Sequence, residues 1–410
     1  MTRLAFGAVG ANNLTIDGLT SAGSVTIVSS PFTGGGPYAV AADATVGGAA
    51  ASYTIALTGG RGYYVRGRFR ISATPTADCM LLACGNLGPA SAAAFGLGFQ
   101  SGSLAIRLFG GGSVRDVAGP TVIANTDFLL ELYIIINAAG DDTITGRLNG
   151  TQFATFTGAL TATVPSNFLW GGTGATGVTV HATDWAVNDD QGANNNSWCG
   201  DARTALLLPV SDDAVKSAIG ADAWRAGNSS STDLWAAVDN TPPVGATSPG
   251  TTTSQIVCDT PSTNRTYVPL TATYDSQCGA GATINLVQVV CANAESVSTG
   301  TKTGGIGLDS NPSLANTSFT YGADAGAGAA YPTTWQISRS ATVVSPSVTP
   351  SSGASPRVQM ATSTRNGDVC FMGVYVDYTV AAGPAQDNPE RYGRPHGLRG
   401  ANQMQQALAF

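Results

Sequence analysis

Charge is what this chain has least of. Only 11% of its 410 residues are Asp, Glu, Lys or Arg, about half the usual share. Glutamate occurs only at Glu131, Glu295 and Glu390, and lysine only at Lys216 and Lys302. Long solvated helices draw on both residue types, so their scarcity argues against a helical fold. Net charge is −7, and the basic residues cluster no further than the alternation Arg66, Arg68, Arg70. A protein that tracks a phosphate backbone needs a positive stripe to release counterions. Direct nucleic-acid binding is therefore not expected.

Two further absences narrow the class. The seven cysteines are an odd number, and none form a CxxC pair. That removes the usual zinc and thioredoxin spacings and leaves at least one thiol unpaired within the chain. Synthesis in a reducing cytoplasm follows, with the cysteines as small buried residues. Pairing among Cys258, Cys278 and Cys291 after release stays open as the alternative. No stretch of about 20 apolar residues occurs, so no membrane-spanning helix is expected. The opening Met1-Thr2-Arg3-Leu4-Ala5-Phe6 lacks the apolar core of a secretory signal.

What the chain does have is strand chemistry. Hydrophobic residues make up 43%, and 52 glycines punctuate them. Tyr63 to Ile71 alternates apolar residues with Arg66, Arg68 and Arg70, the period of a strand with one buried face. The opposite face, with its arginines, reads as solvated or intersubunit. Phe128 to Ile136 is nearly all apolar and suits a central strand covered on both faces. Asn149-Gly150 is the strongest hairpin dipeptide in this region. Strands about ten residues apart imply an antiparallel sandwich. A closing strand, Val178 to Val187, ends in an Asx-rich turn.

Beyond it, Asp201 to Pro209 reads as an edge strand and Asp212 to Ile219 as a short helix capped by Ser211. A loop holding Trp224, Trp235 and Pro242-Pro243 follows. Ile284 to Val290 and Val369 to Tyr378 are the clearest strands of a second sandwich. After Tyr378 the composition shifts to Pro, Gly and charge, with one or two helical turns expected over Asn402 to Phe410. That tail has too few apolar residues to fold alone and is expected to order against another protein.

The fold expected is all-β: two antiparallel, jelly-roll-like β-sandwich domains with an extended N-terminal arm and a C-terminal tail. The boundaries are 1–30 for the arm, 31–200 for the first sandwich, 201–254 for a loop-rich connector, 255–380 for the second sandwich and 381–410 for the tail.

The stretch Asp184-Trp185-Ala186-Val187-Asn188-Asp189-Asp190 leads through Asn194-Asn195-Asn196 and Gly200-Asp201-Ala202-Arg203 to Leu206-Leu207-Leu208-Pro209. It resembles a pattern in tailed-bacteriophage virion proteins whose laminin-G or concanavalin-like sandwich closes in this way. Trp224, Val238-Asp239 and Pro242-Pro243 also sit where that pattern places them. Trp198-Cys199 replaces its usual aromatic-leucine, and the tail from Ala381 is no part of it. The resemblance implies a structural component of a phage particle: a minor tail, tail-tip or fibre protein, with host-surface contact as a further role. A capsid fibre or decoration protein is the alternative within that class. A host-glycan-binding adhesin stands outside it, and a depolymerase is ranked last.

Concanavalin-like sandwiches include glycoside hydrolases, which need two carboxyls flanking the scissile bond. The clustered Glu-x-Asp-x-x-Glu strand of laminarinase-like enzymes is absent. The aspartates left, such as Asp141-Asp142 and Asp189-Asp190, read as turn residues. Only His181 and His396 are histidines, and no nucleophile elbow, HExxH or P-loop occurs. The chain is therefore expected not to be an enzyme, with no catalytic residue and no cofactor. Asp189, Asp190 and Asn194 are candidate calcium ligands, being hard oxygens at one rim. Trp170 and Trp198 are candidate glycan contacts. Arg391, Tyr392, His396, Leu398, Met404 and Phe410 are the tail residues expected to dock on other virion proteins. A trimer or ring is expected, since closed symmetry buries edge strands. Placement in the virion, on the tail before the capsid, completes the expectation.

Overall fold

The computed structural model describes residues 3–7, 18–33, 38–136 with breaks at 44–47, 56, 87 and 117, and 141–191 with breaks at 161–163 and 174–175. It further describes 197–213, 217, 224–226, 233–239, 256–258, 265–295, 303–309, 317–320, 336–340, 343–344, 354–360 and 367–380. Residues 1–380 form one compact unit. The tail from 381 lies outside the described residues, as do most of the expected 212–219 helix and the 240–254 loop.

Two antiparallel sandwiches are present, as the alternating patterns imply. In the first, an eight-stranded sheet runs in the order Thr151–Gly158, Asp142–Leu148, Phe128–Ile135, Gly62–Ile71, Thr179–Asp189, Tyr38–Asp43, Val25–Ser29, with Arg3–Gly7 also on Thr179–Asp189. A seven-stranded sheet faces it, centred on Cys79–Gly85 and Asn167–Gly172. Val65, Phe69, Leu130, Leu132, Phe95, Leu97 and Trp170 fill the space between. Burying such side chains contributes about 1.5–3 kcal/mol each. The hairpin at Asn149-Gly150 has both residues at positive φ, 50° and 79°, the conformation that matches strand twist.

The second sandwich packs the sheet built on Gly367–Thr379 and Thr283–Glu295 against a four-stranded sheet containing Thr303–Leu308 and Pro356–Met360. Val287, Val289, Met372 and Val374 meet Ile306, Leu308 and Val358 there. The other face of the first of these sheets, with Leu286, Val290, Phe371 and Tyr375, packs on Ala186 of the first sandwich. The result is four stacked sheets, and the strands Thr283–Glu295 and Gly367–Thr379 are covered on both sides. That explains why 369–378 is almost continuously apolar.

Several expected boundaries move. The described parts of the arm are strands of the first sandwich: Arg3–Gly7 pairs with Thr179–Asp189, and Thr20–Ala22 with Ala49–Thr54. The connector likewise supplies Arg203–Leu207 and Trp224–Ala226 to the second sandwich. Ser211 and Asp212 lie in the strand Pro209–Asp212, not at a helix start. Cys278 and Cys291 are buried thiols, burial pushing each up to about 12. Among the described residues no helix is long and apolar enough to cross a membrane.

Candidate functional site

The strand Thr179–Asp189 cannot keep one alternation along its length. Val180 and Ala182 face the core, and so do Trp185 and Val187. The parity flips at a bulge, where Thr183 pairs with Arg68 and Ala186 with Arg66. Two residues, Asp184 and Trp185, thus oppose Gly67 alone, and Asp184 takes φ 51° to fit. A bulge re-aims side chains, and here it turns Asp184 onto the outer face.

Asp184 is fully buried and accepts hydrogen bonds from three groups, with Arg203 Nη1 also 3.9 Å from its Oδ2. Its Oδ2 accepts from Arg68 Nε at 3.2 Å, its Oδ1 from the Thr204 amide at 2.9 Å, and its carbonyl from Arg66 Nε at 3.0 Å. Burial pushes its carboxyl up against the pull of Arg68. Arg66 in turn reaches Asp377 at 2.8 Å, with both side chains at zero exposure. Burial opposes the charge on Arg66, but Asp377, Cys199 and Asp184 outweigh it and hold its pKa above the usual value. Arg66 also donates to the carbonyls of Cys199 and Gly200, and Arg68 to Asp201. Glu131 Oε1 accepts from the Gly200 amide at 2.8 Å. Chain 197–201 is thereby strapped across the outer face before entering the second sandwich at Arg203. The arginine face expected to be solvated or intersubunit is corrected for two of its three residues: Arg66 and Arg68 are buried within the chain, in the joint between sandwiches. Within the 184–209 motif, Asp184 and residues 199–204 make that joint.

Next to the strap stands an aromatic group. Tyr64 and Tyr133 stack at 4.5 Å, and Trp198 lies 5.4 Å from Tyr64 and 6.1 Å from Tyr133. Arg147 covers the Trp198 ring at 3.9 Å. All four side chains are half-buried, retaining solvent-facing surface. The Tyr133 phenol bonds the Tyr64 phenol, and burial, then the neighbouring ring or Asp190, raises both pKa values. Gly62 makes room: a Cβ there would lie 2.8 Å from Tyr133 Cε2 and 3.1 Å from Asp190 Oδ2.

Trp170, paired with Trp198 as a glycan contact, is placed elsewhere. It is 1% exposed in the first core, its indole donating to the Arg66 carbonyl at 2.8 Å. No face of it is open to a sugar, and that expectation is corrected. Asp189 Oδ1 accepts from the Gln191 amide and Oδ2 sits 3.6 Å from Arg61. Asp190 accepts from the Gly62 amide at 2.9 Å. Both carboxylates are thus engaged in the turn, and among the described residues no acidic or His/Cys group is arranged to hold a metal. Asn194 lies outside the described residues, as do Arg391, Tyr392, His396, Leu398, Met404 and Phe410. His181 is half-buried opposite Arg70, where burial and that charge lower its pKa. Tyr64, Tyr133 and Arg147 were not singled out as a site from sequence. Their outward register beside Trp198 needs the strap to be in place.

No protein-family model and no curated protein matches the chain. Among solved structures it is similar to the conserved carbohydrate esterase of the Shiga toxin-encoding bacteriophage phi24B, at 17% identity, covering 45% of this chain and 97% of that one, TM-score 0.34. It is also similar to an endo-β-1,4-glucuronan lyase from the fungus Trichoderma reesei, at 15%, 47%, 100% and 0.32 in the same order. An alginate lyase follows at 13%, 45%, 92% and 0.32. One of the three comes from a bacteriophage.

All three bear the names of carbohydrate-active enzymes. The expectation that the chain is not an enzyme is corrected on that finding. Scattered glutamates and two histidines argue against one chemistry, hydrolysis by paired carboxyls. They leave untouched any reaction served by tyrosine, arginine or aspartate, and a sandwich hosts many unrelated functions.

Proposed function

We propose that the chain is a phage-particle component, a minor tail or tail-tip protein, that contacts glycan through Tyr64, Tyr133 and Trp198. The observation that carries the glycan contact is the half-exposed aromatic trio fixed in place by the strap at 197–201. Aromatic rings with an apolar face and a polar tip suit the mixed surface of a sugar. Their support is rigid, because Arg66 and Glu131 lock the strap from beneath. A site held by locked neighbours loses little entropy on binding. The particle assignment is supported by the resemblance of 184–209, and the tail from 381, with Arg391, Tyr392 and His396, would serve as its anchor to other virion proteins.

Two measurements test the reading together. Antibody labelling of intact particles is expected to mark the tail; labelling of the head overturns that placement. The purified chain is expected to bind glycans on an array, and Trp198→Ala to remove the signal. Wild-type binding that survives Trp198→Ala overturns the site.

A further inference from the structure

Four arginines on or beside this sheet are matched to carboxylates, and Arg147 is not among them. Arg66 has Asp377, Arg68 has Asp184 and Asp201, Arg70 has Asp127, and Arg61 has Asp189. Arg147 has no ion pair among the described residues, and its Nε is buried without a hydrogen-bond partner there. Its neighbours across the strands are Glu131 on one side and Gln152 on the other. Glu131 does not complete it. That carboxyl gives Oε1 to the Gly200 amide, and its Oε2 is also buried and unpartnered. Burial moreover pushes Glu131 towards its neutral form, ahead of the opposing pull of Gly200, Arg66 and Arg147. Asp190 is turned to the Gly62 amide and to Gln191, and Asp201 to Arg68. What Arg147 does have is the Trp198 ring beneath it at 3.9 Å, which leaves the guanidinium without a carboxylate hydrogen-bonded to it among the described residues.

We propose that this site takes an acidic glycan, the sugar lying against Tyr64, Tyr133 and Trp198 with its carboxylate on the Arg147 guanidinium. The inference rests on the glycan-contact reading above and deepens it. A planar guanidinium meets a carboxylate with two parallel hydrogen bonds, stronger and more directional than those between neutral groups. A neutral sugar would leave the half-buried cation unsatisfied, so discrimination is built into the site.

The test uses the full chain on an array carrying uronic-acid oligosaccharides, each beside its carboxyl-reduced counterpart, with neutral glycans as the third set. Binding is expected to the acidic members, weakened about tenfold or more by carboxyl reduction, and weakened as salt is raised. Arg147→Gln is expected to reproduce the effect of reduction, and Arg147→Lys to restore part of it. Trp198→Ala is expected to abolish all binding, with thermal unfolding confirming that each variant folds. Equal binding of acidic and reduced glycans, or Arg147→Gln without effect, overturns the acidic-ligand inference while leaving glycan contact standing. Binding to no glycan at all overturns both.

Discussion

Arg66 and Asp377 stand 311 residues apart in the chain and meet at 2.8 Å, neither side chain touching solvent. Asp377 is also held by Asn285 at 2.9 Å, so one buried carboxylate ties two strands of the second sandwich to the first. Breaking such a pair from one side strands a charge in a low-dielectric interior, at a cost of roughly 3–5 kcal/mol.

Arg66→Met is therefore expected to destabilise the protein by about that amount, and Asp377→Leu likewise. The double variant is expected to recover much of the loss, because no unpaired charge remains. Urea denaturation of the four proteins checks this. A double variant as weak as the sum of the singles would show that the pair is not the coupling element.

Glu131 makes stability depend on pH with a definite sign. Burial raises its folded pKa above the unfolded value. In the window above the ordinary carboxyl pKa the folded protein thus holds more protons than the unfolded chain, and stability falls as pH rises through it. Glu131→Gln keeps an acceptor for the Gly200 amide and removes the titration. Urea midpoints from about pH 4 to about pH 7 are expected to decline for the wild type relative to this variant. Parallel profiles would place the raised pKa elsewhere.

Gly62→Ala tests the aromatic group from underneath. The new methyl would meet Tyr133 Cε2 at 2.8 Å and Tyr133 Oη at 2.9 Å, an overpacking costing about 1–3 kcal/mol unless the ring moves. The ring's half-exposed position lets it move, so glycan affinity is expected to drop more than thermal stability does. Combined with Tyr133→Ala, the glycine substitution is expected to cost nothing further in binding. An additional loss in the double variant would mean that Gly62 acts by some other route.

Much of the fold was legible because it is written in short-range pattern. The alternation at 63–71, the apolar run at 128–136 and Asn149-Gly150 each report a local preference, and each became the expected element. Trp170 and Trp198 carry the same label in sequence, yet one fills the core and the other keeps open surface. The site was less legible still. Its strap depends on Asp184, whose bulge reverses the side-chain parity that periodicity assumes. Its platform joins Tyr64, Tyr133, Arg147 and Trp198 from three strands and a crossing segment, with no spacing to mark them.

By itself, the sequence determined the strand class, the turns and one buried face for each strand, since these follow from period and local backbone preference. Only the tertiary structure decided what covers the second face. Arg66 and Arg68 look like solvated residues until Asp184, Asp201 and Asp377 arrive from distant strands to compensate them. Alternation separates the two sides of a strand, but whether the polar side meets water or another sheet depends on charges contributed far along the chain.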